Sequence, residues 1–258
     1  MSTLHQASPT EPAIHIAETC SAMAEHAAAD ISHEIRNCLE KQPGVRMVFA
    51  AAPSQSEMLA ALCKQNDIDW SRVTAFHMDE YLGLPADAPQ RFGFWLRQAI
   101  FDRLPFAAVH LIEPGDNPTK TASDYAEKLN AAPVDIVCCG IGVNGHLAFN
   151  DPPADFKDQL TVKVVDLDSQ CRQQQVDDHC FATLRDVPTR AITITVPGLL
   201  AARAIFCTVP GAMKKDAIRR TLLDPINPMC PATALRMHTH CNIYLDPGSA
   251  SEIKLDDR

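Results

Sequence analysis

Short apolar runs of strand length alternate with helix-length segments from residue 45 onward, and this alternation restricts the fold more than any other feature of the chain. Val45-Arg-Met-Val-Phe-Ala-Ala-Ala52 is an apolar run that meets Pro53-Ser-Gln-Ser-Glu57 and then the helical pattern Met58, Leu59, Leu62. Strand, polar turn and helix open a β-α-β unit. The unit then recurs. The segments 73–78, 109–112, 134–139, 161–165, 191–196, 204–209 and 241–245 read as strands, and 122–129, 197–202 and 212–223 as helices. Strands this continuously apolar must be covered on both faces, so the pattern predicts an α/β fold with a mainly parallel sheet and helices on either side. Upstream, Ile14, Ala17, Ala24, Ala28, Ile31, Ile35 and Leu39 recur at three- and four-residue steps. That spacing predicts one long amphipathic helix from Pro12 to Glu40, closed by Pro43-Gly44. Residues 1–11 read as a flexible arm, and 12–258 as a single domain without an internal linker or repeat.

Composition narrows the function. The chain has 258 residues, 46% of them hydrophobic and 21% charged, which excludes a disordered or fibrous protein. A net charge of −9 with no basic stripe removes the electrostatic term on which nucleic-acid binding depends, so no nucleic-acid partner is expected. No stretch approaches ~18 apolar residues, so no membrane span is expected. The first eleven residues carry no secretory pattern. Ten cysteines occur without any C-x-x-C, and Cys138-Cys139 lies in an apolar run. The expectation is a cytoplasmic protein with reduced, mostly buried thiols and no metal site.

In an open α/β sheet, ligands bind beyond the carboxyl ends of the strands. Four such segments hold the polar residues that stand out: Pro53–Glu57, Asp79–Tyr81, Gly140–Asp151 and Pro210–Lys214. In Phe76-His-Met-Asp-Glu-Tyr81, a carboxylate at the sheet rim can act as a base toward a carbon-bound proton; the plain alternative is a solvated strand end. In Gly140-Ile-Gly-Val-Asn-Gly-His146, glycines 140, 142 and 145 allow close backbone approach to a ligand. The loop presents His146, whose ordinary pKa suits proton transfer near neutrality. The plain alternative is a histidine satisfied by turn carbonyls. Gly211-Ala-Met-Lys-Lys215 leads into a helix and offers free N–H groups beside a cation, which suits a phosphate monoester. Ser54, Gln55 and Ser56 open another helix and are candidate donors to the same anion, with a simple serine N-cap as the alternative. Arg172 is a candidate for a bidentate clamp, or a surface arginine.

Taken together, these segments resemble one family. Ala75-Phe-His-Met-Asp-Glu-Tyr-Leu-Gly-Leu84 and Gly140-Ile-Gly-Val-Asn-Gly-His-Leu-Ala-Phe-Asn150 are similar to the two signature stretches of the glucosamine-6-phosphate deaminase/isomerase family. Val209–Lys214 and the tail from Leu235 to Asp246 follow in matching order. The wider superfamily includes 6-phosphogluconolactonases, which share the glycine-histidine loop. The resemblance implies a modified Rossmann-like sheet and an aldose–ketose isomerisation of an amino-sugar phosphate with loss of ammonia, without metal or organic cofactor. It implies that Asp79 moves a proton between C2 and C1 and that His146, with Asn144 and Asp151 beside it, opens the sugar ring. Lys214, Arg172, Ser54–Ser56 and the glycines 142 and 145 would hold the substrate and its phosphate. The implied partner is a small-molecule sugar phosphate, with homo-oligomerisation left open.

Three positions depart from the family pattern. The loop after the first strand, usually rich in Thr and Gly, is Ala52-Pro-Ser-Gln-Ser-Glu57 without glycine. The family's D-G-H reads Asn144-Gly-His146, and the loss of a carboxylate predicts a less basic His146. The family's glutamate after A-F-N is Asp151, one methylene shorter, so orienting His146 and falling short of it both stay open. Beside the isomerase/deaminase reading stand two others: a lactonase, which has less use for a C2-directed base, and a non-catalytic sugar-phosphate-binding regulator.

Overall fold

The computed structural model of the chain describes residues 11–253. Ten strands and seven α-helices follow one another: β1 (Ala13–Ile16), α1 (Cys20–Lys41), β2 (Val45–Phe49), α2 (Ser56–Leu62), β3 (Val73–His77), β4 (Asp79–Tyr81), α3 (Phe92–Leu96), β5 (Ala108–His110), α4 (Pro118–Asn130), β6 (Ile136–Cys139), β7 (Val162–Asp166), α5 (Ser169–Asp177), β8 (Arg190–Ile194), α6 (Val196–Leu200), β9 (Ala204–Val209), α7 (Lys215–Leu223) and β10 (Cys241–Leu245). Seven strands form a wholly parallel sheet in the order β1-β10-β9-β6-β2-β3-β5.

Both faces of this sheet are buried, as its apolar strands require. Alternate residues point to opposite sides. Met47, Phe49, Ala75, Ile136, Cys138 and Phe206 face α1, α2 and α3, where they meet Ile31, Ile35, Leu59, Leu62 and Leu96. Val48, Phe76, Val137, Cys139, Ile205 and Cys207 face the other way, against Tyr125 of α4, Leu199 of α6 and Ile218 of α7. Helix α1 begins where Thr19 accepts a hydrogen bond from the Ala22 N–H at its N-cap.

Two expectations give way. The long helix does not begin at Pro12. Ala13–Ile16 is a strand, paired in parallel with β10, and the helix starts only at Cys20. Nor do the strands near residues 162 and 191 join the parallel sheet. They pair antiparallel with each other and with the three-residue β4, as a small second sheet β4-β8-β7. That sheet lifts the chain after β3 away from the main sheet and carries Asp79 at its start. The N-terminal arm falls almost wholly outside the described residues.

Candidate active site

Strands β3, β2, β6 and β9 are consecutive neighbours in the main sheet, so their carboxyl ends lie side by side. The segment leaving each one lines a common cleft: Asp79 after β3, Ser54 and Gln55 after β2, Gly140, Gly142 and His146 after β6, and Lys214 after β9. Phe92, Gln174 and Gln175 complete the wall from α3 and α5.

Asp79 is 5% exposed, and its carboxyl makes no hydrogen bond or ion pair to the described residues. Burial, reinforced by the neighbouring Glu80, pushes it well above the usual carboxylate range. Glu80 points away. It accepts from the N–H groups of Tyr81 (2.9 Å), Phe92 (3.1 Å) and Gly93 (2.9 Å), with the Arg91 guanidinium 3.6 Å from its carboxylate. Two adjacent acids thus part: Glu80 caps the start of α3, where Phe92 lines the cleft, while Asp79 faces the cleft without a partner among the described residues.

The glycine loop shapes itself around His146. The Gly142 N–H donates to the His146 carbonyl, and the Gly145 N–H to the Gly142 carbonyl. A side chain at Gly142 would overlap the imidazole, and Gly145 holds φ at +89°. Asn144 Oδ1 accepts from the His146 N–H at 3.0 Å, while its Nδ2 donates to Asp151 Oδ1 at 3.1 Å. Asp151 Oδ1 also lies 3.4 Å from His146 Nδ1, so the shorter side chain does reach the ring. Burial pushes the Asp151 carboxyl up, but His146, Asn144 and the Asp168 N–H together hold it below its ordinary value. Asn144 and Asp151 stand behind His146 and do not line the cleft themselves; Gly145 likewise only shapes the turn.

Lys214 is 9% exposed in a single 3-10 turn, Ala212–Lys214, before α7. Burial pulls its ammonium down to about 8, against the opposing pull of Asp178 and Cys171. Gln55 is fully buried and spends its amide on β9. Its Nε2 donates to the Thr208 carbonyl at 3.1 Å, and its Oε1 accepts from the Thr208 hydroxyl at 2.8 Å. This pairing stiffens the glycine-free loop, and Gly140 is needed beside it, because a side chain there would meet Gln55 Nε2.

Two expected anion contacts lie elsewhere. Ser56 is exposed on the first turn of α2, outside the cleft. Arg172 is turned away from it: Nη2 donates to the carbonyls of Leu184 (2.7 Å) and Val187 (2.8 Å), so the guanidinium braces the segment after α5. Its helix neighbours Gln174 and Gln175 line the cleft instead. Gln174 accepts from the Val143 N–H at 3.0 Å and locks the glycine loop. Gln175 is 8% exposed, lines the cleft, and makes no side-chain hydrogen bond to the described residues. The signal for both lay in the spacing of Cys171, Gln174 and Gln175, which share one helical face.

A sequence profile described as "Glucosamine-6-phosphate isomerases/6-phosphogluconolactonase" matches residues 18–244. The chain belongs to this family. Among curated members, a protein named glucosamine-6-phosphate deaminase from Listeria monocytogenes is 33% identical over 210 residues, covering 80% of this chain and 87% of its own. A deaminase of the same name from Bacillus cereus is 30% identical over 219 residues, covering 82% and 79%. The fold matches that of a monomeric glucosamine-6-phosphate deaminase with a TM-score of 0.85 at 24% identity, over 93% of this chain and 99% of the other. A 6-phosphogluconolactonase from Shewanella baltica shares the fold with a TM-score of 0.75 at 19% identity, over 93% and 100%. The sheet on which this cleft stands is therefore that of the matched fold.

Proposed function

We propose that this chain is an amino-hexose-phosphate isomerase/deaminase, acting on a glucosamine-6-phosphate-like substrate to yield the ketose phosphate and ammonia. The observation that carries this reading is the unbonded, buried Asp79 carboxyl facing the same cleft as the His146–Asp151 pair and Lys214. A sugar C2 hydrogen is only weakly acidic, so its removal needs a base held at hydrogen-bond distance and freed from other partners. Asp79 meets that need.

In the proposed reaction His146, steered by Asp151, transfers the proton that opens the pyranose ring and exposes the C1 aldehyde. Asp79 takes the C2 proton, giving an enolamine, and returns a proton to C1, giving the 2-imine. Water adds to C2 and ammonia leaves, so one substrate and one water give one ketose phosphate and one ammonia. Lys214, the start of α7 and the Ser54 turn hold the phosphate, whose remote binding orients the reacting carbons. With Arg172 engaged elsewhere, Gln175 supplies a further polar contact to the sugar. Residues 12–258 act as one domain in this reading. A cytoplasmic setting suits a phosphorylated substrate; among the described residues no helix is long and apolar enough to cross a membrane.

The test is ammonia release over a panel of amino-hexose 6-phosphates. Wild type should turn over at least one of them. Asp79→Asn and His146→Gln should each lose about 10²–10⁴-fold in rate. Lactone hydrolysis that survives Asp79→Asn, without ammonia release by the parent, would make the chain a lactonase instead. Saturable binding with no turnover would make it a regulator.

A further inference from the structure

On the side of the molecule formed by β1, α1 and β10, three residues outside the cleft assemble a second polar cluster. We infer that His15, His26 and Asp30 form a binding site for a zinc-class divalent metal ion. A nitrogen of each histidine and a carboxylate oxygen of Asp30 all lie within 4.8 Å of one another. His26 and Asp30 are four residues apart on α1, hence on one face of the helix. Their Nε2 and Oδ2 atoms are 3.3 Å apart. That is long for an ionic hydrogen bond, which runs at about 2.7–2.9 Å. It matches the edge of a tetrahedron, about 3.3 Å, around a metal with ligand bonds of about 2.0–2.1 Å.

The groups behind these ligands fit the same purpose. His15 Nε2 donates to Asn242 Oδ1 at 3.1 Å, which leaves the lone pair of the neutral ring on Nδ1. Tyr244 donates its hydroxyl to Asp30 Oδ2 at 2.8 Å. An outer hydrogen bond on a histidine and another on a carboxylate are what metal sites use to orient ligands. The rings are also fixed by packing. His15 stacks on Tyr244 at 4.7 Å and 12°, and His26 stands edge-on to His15 at 4.9 Å and 78°. Two imidazoles and a carboxylate suit zinc, cobalt or nickel rather than calcium or magnesium. His26 is exposed, so an ion can enter and keep water at its remaining position. Bound there, the ion would tie the edge strand β1, which pairs only with β10, to α1. It serves the fold and not the chemistry.

The probe is Co²⁺ added to the chelator-treated full chain, read by visible absorption and titration, with thermal unfolding in Zn²⁺ alongside. One Co²⁺ should bind without a thiolate charge-transfer band, and Zn²⁺ should raise the unfolding temperature. His26→Ala, an exposed substitution that the fold tolerates, and Asp30→Asn should each weaken binding at least about tenfold and abolish the thermal shift. His33→Ala, an exposed histidine of the same helix, should change neither. Ammonia release should be unaffected throughout. Binding that survives His26→Ala, a thiolate band marking one of the ten cysteines, or no saturable binding at all would each overturn the site.

Discussion

Asp79 and Lys214 both line the cleft, and each is displaced from its ordinary titration in a direction that, in the proposed reaction, shapes activity. As a base, Asp79 must be ionised, and burial together with Glu80 raises its pKa. Activity therefore climbs with pH through a value above the ordinary carboxylate range. Lys214 must be charged to hold a phosphate, and burial lowers it to about 8. Activity therefore falls as pH rises beyond that point. The plot of kcat/KM against pH should be a bell with these two limbs, since it reports the free enzyme. In kcat the alkaline limb should move upward, because a bound phosphate dianion holds the ammonium charged. An alkaline limb at the same pH in both plots would remove Lys214 from the phosphate site. At Gly142 the demand is steric: Gly142→Ala should leave the unfolding temperature within a few degrees of wild type yet cut kcat at least about tenfold, because His146 has to move to make room. Full activity in this variant would show that the ring is not held where the loop places it.

At the scale of elements, Glu80 links the small sheet to α3. Glu80→Gln loses one carboxylate acceptor for the N–H groups of Tyr81, Phe92 and Gly93 and removes one of two carboxylates beside buried Arg91, Glu113 staying at 2.9 Å, at a cost of about 1–3 kcal/mol. It also removes the charge that lifts Asp79. The acid limb of the kcat/KM profile should shift to lower pH as stability falls, and a limb that stays put would mean the two acids are not coupled. Much of this layer was legible in the chain. The apolar runs at 45–52, 134–139 and 204–209 announced buried parallel strands, and the polar residues at their ends announced the cleft. What escaped was decided by partners far away. Ala13–Ile16 matches helical spacing as well as strand spacing, and only pairing with β10 makes it a strand. In the small antiparallel sheet, β4 pairs with β8 across more than a hundred positions, which no local pattern records. Helix α5 has few apolar residues, so only the spacing of Cys171, Gln174 and Gln175 marked the face it turns to the cleft. Arg172 was read by its charge, yet two carbonyls twelve and fifteen residues onward fix its direction.

For the whole molecule, the sheet order is what turns sequence segments into a site. Asp79 and Lys214 are 135 positions apart, and they meet because β3, β2, β6 and β9 lie edge to edge. The departures from the family wording do not dismantle this arrangement. Asn144 bridges the backbone of His146 to Asp151, and Asp151 comes within 3.4 Å of the ring. The glycine-free loop is braced by the Gln55–Thr208 pair. The central claim is that Asp79 takes the C2 proton and, once its carboxyl has exchanged with solvent, delivers a proton to C1. The direct measurement is proton NMR of the ketose phosphate formed from an amino-hexose 6-phosphate in D₂O. The account predicts deuterium at C1, in step with ammonia release, and no such product with Asp79→Asn. A ketose formed by Asp79→Asn at the parent's rate, with the same label at C1, would contradict it.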